Sequence, residues 1–217
     1  MLVSQTLRQT SIESFRIERS RRYIQDTAMK HATMTQLSEY DYLEGERASA
    51  IRHEYVAGEV FAMAGGSKAH NIISLNVAML LRNGLRGSGC QTFMADMRVH
   101  VAAQSSYYYP DIVVTCAPAD LASDAPKDHI ESPNLIVEVL SPTTEAIDRR
   151  EKMLAYRHLA SLNEYVLIDQ ERRWVEVYRR IASGWVADLY SPGDEITFGN
   201  GALVCSMDDV YQDSSVM

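Results

Sequence analysis

Cysteine is scarce: Cys90, Cys116 and Cys205 are the only three in 217 residues, and none forms a CxxC pair. An odd number at wide spacing argues against a disulfide framework and against a zinc site, so reduced core thiols are expected. Long apolar runs are missing too. With no stretch of about 18 apolar residues, a membrane-spanning helix is not expected. Arg8, Arg16, Arg19, Arg21 and Arg22 are followed by no apolar block with a small-residue cleavage site, so a secretory signal is not expected and the reading is cytoplasmic. Several catalytic signatures are also absent. There is no GxxxxGK[ST] phosphate loop, no dinucleotide fingerprint and no GxSxG elbow. His53-Glu54 does not open an HExxH zinc motif, because Ala57 stands where the second histidine belongs.

What is present is a soluble globular composition, 46% hydrophobic and 23% charged, long enough for one domain with a sizeable core. The most informative stretch is NLIVEVLSPTTEAIDRREKMLAYRHLA, from residue 134. Glu138 interrupts a β-branched run of the kind a fully buried strand carries. An ionised carboxylate is costly there without a cation or donors to compensate it. Asp111 sits in an equally apolar segment, YYYPDIVV. Strand alternation makes each acid the only one on its face. Two such acids on neighbouring strands would form a divalent-cation site; taken singly, each equally suits a satisfied core carboxylate. Ser141-Pro142 then opens a helix in which Asp148, Lys152 and Tyr156 recur every four residues, so Lys152 is expected to point back over the strand.

Pro110-Asp111 followed by Glu138-Val139-Leu140 resembles the PD-(D/E)xK nuclease superfamily. The ordered set HEYVAGEVFAMAGGSKAHN, PDIVV, IVEVLSPTT, the Asp148 and Lys152 helix and EYVLID is similar to its bacterial branch of restriction-endonuclease-like proteins, often called Uma-type. The likeness spans about residues 35–211. It implies an α/β restriction-endonuclease-like core (αβββαβ) with a mixed central sheet plus added antiparallel strands. It also implies Mg²⁺-dependent cleavage of DNA, with Mn²⁺ as a substitute; because cutting both strands of a duplex commonly needs two centres, a homodimer is an expected acting form. Asp111 and Glu138 would be metal ligands. The position of the motif lysine holds Leu140, so the resemblance implies that Lys152 supplies the ammonium. A noncatalytic nuclease-like module that binds nucleic acid or a protein partner is the alternative, and the formal charge of -8 favours it.

Along the chain, residues 1–33 read as a polar extension, helical or flexible, with 34–217 as the nuclease-like domain and Met34 as an alternative natural start. A helix bearing Leu37, Tyr40 and Leu43 over 35–47 leads to a hairpin turning at Ala57-Gly58. Ser67 caps a long helix over 68–85 with Ile72, Leu75, Val77, Met79, Leu80 and Leu81 apolar. His70, in its first turn, is a candidate for meeting a phosphate or moving a proton, and the helix N-terminus is expected to lower its pKa. Strands are expected over 90–102 and 107–116, with Asp96 and Arg98 as a solvent-side ion pair, followed by an exposed loop over 117–133. Strands after the Lys152 helix are expected at 164–169, 173–179 and 185–190, with turns at Gly193-Asp194 and Gly199-Asn200-Gly201. Trp174 and Trp185 are assigned to the core rather than to base stacking. Arg149, Arg150 and Lys152 would make a local basic rim.

Overall fold

The computed structural model describes residues 36–63 and 65–217; the expected boundary after residue 33 lies outside the described residues. The chain forms two compact units, one ending at Ala64 and one running from Gly65 to Met217. In the first, helix α1 (Glu39–Ala48) precedes a hairpin of β1 (His53–Val56) and β2 (Glu59–Ala62). Its two-residue turn has positive φ at both Ala57 and Gly58, the geometry that matches strand twist. The helix buries Tyr42 and Glu46, while Tyr40 is exposed. Glu46 was not anticipated as a core residue. Its carboxylate accepts from the His53 backbone N–H and meets His53 Nδ1 at 3.0 Å, which resolves the burial of both.

The second unit is built on a six-stranded mixed sheet in the order β11-β10-β9-β8-β6-β3. Its strands are β3 (Gln91–Met94), β6 (Ile112–Thr115), β8 (Pro133–Leu140), β9 (Glu164–Asp169), β10 (Val175–Ile181) and β11 (Gly184–Tyr190). Within this sheet, only β8 and β9 pair in parallel. The residues 145–156 that join them cross one face as three consecutive helical pieces, Glu145–Ile147, a π turn Asp148–Lys152, and Met153–Tyr156, together called α4. Helix α2 (Lys68–Gly84) covers the other face. It packs Ile73, Val77 and Leu81 into one core with Leu135, Val137 and Val139 of β8. Leu75 and Met79 of α2 are exposed instead, because residues 73, 77 and 81 define the inward stripe at helical spacing.

Two expected strands are each broken in two. Residues 90–102 divide into β3 and β4 (Arg98–Val101), which belong to different sheets. Ala95, at φ 58°, turns the chain while its N–H donates to the Asp111 carbonyl. Residues 107–116 divide into β5 (Ser106–Tyr108) and β6, interrupted at Tyr109-Pro110-Asp111, where proline offers no ladder N–H. Strand β4 pairs antiparallel with β5 and parallel with β7 (His129–Ile130). The strand break also corrects the ion pair proposed for Asp96. Arg98 is buried and its guanidinium meets Asp128 at 2.8 Å.

The segment 117–133 is less exposed than expected. It contains a short helix α3 (Pro118–Leu121) and β7, and Asp120 pins it by accepting from Thr115 Oγ1 and from the Glu131 and Ser132 N–H groups. The two expected turns flank β12 (Glu195–Phe198), which pairs antiparallel with β13 (Leu203–Ser206) before helix α5 (Met207–Tyr211). Glu164, almost fully buried, ties this hairpin down by accepting from the Gly199 and Asn200 N–H groups and from Arg179. Trp174 and Trp185 are half-buried, beneath Arg172 and Arg180 respectively, rather than in the core. No described helix is long and apolar enough to cross a membrane.

The expectation of reduced thiols is also corrected, because Cys90 and Cys116 form a disulfide. The β3/β6 register pairs Gln91 with Thr115, so the next residues outward face each other across the ladder. Cys205 alone is free and buried, and burial pushes its thiol up to about 11. We expect thiol titration of the folded, oxidised protein to find no reactive thiol, one after unfolding, and three after unfolding with reduction. Closing a 26-residue separation is worth roughly 3–4 kcal/mol on loop entropy. Cys116→Ser should therefore lower the urea-derived unfolding free energy by up to about that amount.

Candidate functional site

Alternation along β8 turns Val137 and Val139 toward α2 and Glu138 toward α4. Glu138 is 3% exposed, Asp148 2% and Lys152 5%. Lys152 Nζ lies 3.2 Å from Glu138 Oε1 and 3.2 Å from Asp148 Oδ1. Tyr156 donates its hydroxyl to the same Glu138 oxygen at 3.2 Å. The recurrence of Asp148, Lys152 and Tyr156 thus becomes a polar face of α4 laid over a strand acid. The ammonium is also 5.9 Å from the centre of the Tyr108 ring, which packs edge-on against Tyr156.

Asp111 occupies the bend immediately before β6. The β6/β8 register pairs Ile112 with Val137, and carried one residue on it sets Asp111 opposite Glu138. The Val139 N–H donates to Asp111 Oδ2 at 2.7 Å, so β8 itself orients this carboxylate. Its other oxygen lies 3.2 Å from His70 Nε2. Both side chains are about one-fifth exposed, in contrast to the deeply buried Lys152. His70 is positioned by Ser67, whose hydroxyl accepts from the His70 N–H and caps α2.

The electrostatics join these two pairs. Burial acts to lower the His70 pKa, but the hydrogen bond and charge of Asp111, with the charge of Asp148 and the Val139 backbone, outweigh it and raise the value above 6.5. The expectation that the helix N-terminus would lower it is therefore corrected: the adjacent carboxylate wins. Tyr165, buried beside the site, is pushed well above its ordinary value by burial first, then by the charges of Glu138 and Asp148, with Lys152 opposing and Asp111 adding. Its hydroxyl donates to the Asp148 carbonyl.

Asp111, Glu138, Lys152 and His70 therefore fall in one neighbourhood, with Asp148, Tyr156 and Tyr165 completing it. Tyr165 was missed as a neighbour because its segment reads as an ordinary buried strand. Leu140 is buried and pairs with Asp169, so that strand position offers no ammonium. Two carboxylates opposed across adjacent strands suit a hard divalent ion such as Mg²⁺, which is held by one or two carboxylates and keeps several waters. Among the described residues, they do not combine with a third His, Cys, Asp or Glu into a tight three-donor cluster. The expected basic rim is reduced. Arg149 is engaged by Glu145 and by Glu176, the latter also accepting from Trp174 and Tyr178.

Removing one partner of a buried ion pair typically costs about 3–5 kcal/mol, so Lys152→Met is expected to lower unfolding free energy by that order in urea titration. A loss below about 1 kcal/mol would mean that the surroundings readily replace the ammonium. For His70 the raised folded pKa means that its stabilising link to Asp111 is complete below the unfolded value and is lost as pH rises through the folded value. An imidazole titration followed by NMR should show a value above 6.5 in the wild type. In Asp111→Asn it should fall, because burial then acts with less opposition.

Known proteins resemble this chain in sequence and in fold. Residues 37–203 match the Uma2 family, described as "Putative restriction endonuclease". Two proteins of Synechocystis sp. are similar along most of their length, both named as uncharacterized. Slr1290 is 34% identical over 83% of this chain and 94% of its own. Sll1609 is 33% identical over 77% of this chain and 95% of its own. Among solved structures, a protein of Anabaena variabilis titled a putative nuclease belonging to DUF820 has a TM-score of 0.68 at 17% identity, covering 81% of this chain and 97% of that one. The likeness in structure carries the fold, and the match over 37–203 together with the Synechocystis relatives carries the kinship: this chain belongs to the Uma2 family.

Proposed function

We propose that the protein is a metal-dependent nuclease that hydrolyses DNA phosphodiester bonds. The observation that carries this reading is the meeting of Lys152 with Glu138 beside the Asp111–His70 pair, in a chain whose family is described as "Putative restriction endonuclease". The order α2, β3, β6, β8, α4, β9 supports reading an αβββαβ core, with β4, β5, α3 and β7 inserted and β10 and β11 added.

In this reading Asp111 and Glu138 hold Mg²⁺, or Mn²⁺ in its place. Bound there, the ion would supply a water of lowered pKa and would neutralise charge at the scissile phosphate. Lys152 stabilises the negative charge that grows on the phosphoryl oxygens as the incoming water attacks phosphorus and the P–O bond breaks. Asp148 holds that ammonium in place. His70, more exposed and protonated more readily than usual, contacts phosphate or delivers a proton to the departing oxygen. A homodimer would bring two such centres to the two strands of a duplex. A cytoplasmic setting fits DNA as substrate, although a disulfide such as Cys90–Cys116 is uncommon in a reducing compartment.

A noncatalytic nuclease-like module is favoured by two observations: the depth at which Lys152 is buried between two carboxylates, and the formal charge of -8. An assay on supercoiled and linear DNA separates the readings. Nicking should require Mg²⁺ or Mn²⁺ and fall at least 100-fold in Asp111→Ala and in Lys152→Ala, on the scale expected for loss of transition-state charge stabilisation. Circular dichroism checks that each variant is folded. Glu138→Gln should also abolish Mn²⁺ binding in calorimetry. Inertness of the wild-type protein with both metals and all DNA forms would remove the catalytic reading.

A further inference from the structure

A second group of metal-ligating side chains lies on β4 and β7. The parallel register pairs Arg98 with His129 and Val99 with Ile130, and carried one step on it sets His100 beside Glu131. Paired residues of a parallel ladder point to the same face, so His100, His129 and Glu131 project together. One donor atom from each lies within 4.8 Å of the other two. His100 Nδ1 and His129 Nε2 are each 3.8 Å from the same Glu131 oxygen. For bonds of about 2.0–2.1 Å in a tetrahedral zinc site, ligand atoms stand roughly 3.3 Å apart. The two histidine–Glu131 distances need a contraction of about half an ångström to reach that spacing, and the two imidazole donors, within 4.8 Å of each other, close toward it on the same ion.

The surroundings are organised as ligand supports. His129 Nδ1 is 2.9 Å from Asp128 Oδ1, which fixes the tautomer that leaves Nε2 as the electron-pair donor. Asp128 is itself anchored by Arg98, at 2.8 Å, and this ion pair offsets the guanidinium charge. Tyr107 stacks on His100 at 4.3 Å and meets His129 edge-on, holding both rings. The Glu131 backbone is fixed through its N–H to Asp120. A cleft of about 360 Å³ is lined by His100, Glu131 and His158, providing an approach for a fourth ligand.

We infer that His100, His129 and Glu131 form a binding site for one borderline transition-metal ion of the Zn²⁺ class, separate from the Asp111–Glu138 pair. Two imidazoles and a carboxylate suit such an ion, whereas two carboxylates suit Mg²⁺. The fourth position opens toward the cleft, where water or a small anion completes the set. The two sites are divided by β5: Tyr107 faces the histidines, and Tyr108, next in the strand, faces Tyr156 and Lys152. The inference does not depend on nuclease activity.

The test is titration of the full chain with Co²⁺, read by its visible absorption, followed by displacement with Zn²⁺. One equivalent of Co²⁺ should give the bands of a four-coordinate nitrogen-ligated ion, and Zn²⁺ should bleach them. The spectrum should survive in the Asp111→Asn, Glu138→Gln double variant. It should disappear in His129→Ala, and Asp128→Asn should weaken binding by about 10–100-fold, the range for outer-shell partners. Glu131→Gln, at a side chain 58% exposed, should weaken binding at least 10-fold, even if His129→Ala fails to fold. Absence of the spectrum in the wild type, its loss in the double variant, or its persistence unchanged in Glu131→Gln would each overturn the inference.

Discussion

The second unit depends on an ammonium held between two carboxylates inside the protein. Glu138 occupies the middle of the only parallel strand pair of the six-stranded sheet, where water does not reach it. An ionised carboxylate there is tolerable because Lys152 and Tyr156 arrive from the crossover helix on that face. The dependence is mutual. Lys152 needs Glu138 and Asp148 as much as they need it, so strand, helix and crossover have to dock in one register. The π turn lies across the residues that complete this contact, a local irregularity of the kind often retained for function. A hydrophobic trio would fold with less electrostatic constraint. That this chain keeps charges is in line with a role for them beyond packing.

Around that contact, two levels of exposure are set side by side. Lys152 and Glu138 are enclosed, while Asp111 and His70 are partly open to solvent. The Val139 N–H is the link between them: the residue after the buried acid orients the accessible one. The spot itself carries three carboxylates, Asp111, Glu138 and Asp148, against the Lys152 ammonium and, when protonated, His70. The spot is thus acidic like the chain as a whole, at a formal -8, and Arg149, expected in a basic rim, is engaged by Glu145 and Glu176.

The parts of the fold that were legible in the sequence are those written in short-range periodicity. Ser67 and the stripe that follows it specify α2, the Ala57-Gly58 turn specifies the first hairpin, and the apolar runs of β8 and β9 specify the sheet centre. The spacing of Asp148, Lys152 and Tyr156 made the polar face of α4 readable before any contact was known. What was not legible depends on pairing across distance. The Cys90–Cys116 bond follows from the β3/β6 register, and no spacing rule contains that register. The breaks at Ala95 and Pro110 send continuous-looking strands into two sheets, which turned Arg98 from a surface residue into a buried one. His100 and His129 are 29 positions apart and become neighbours only through the β4/β7 ladder. The pKa of His70 was misjudged for a related reason: the helix end was visible in the sequence, and the carboxylate beside it was not.

Strand β3 lies at the margin of the six-stranded sheet and has one neighbour, β6, in that sheet. It is fastened at both ends, by the sulfur bridge at Cys90 and by the Ala95 N–H that holds the Asp111 carbonyl. A segment without functional side chains thereby braces the backbone of an acid at the centre of the site. Fraying of this margin would be transmitted to Asp111 first, so buffers with and without a thiol reductant present two different proteins to any experiment that reads that residue.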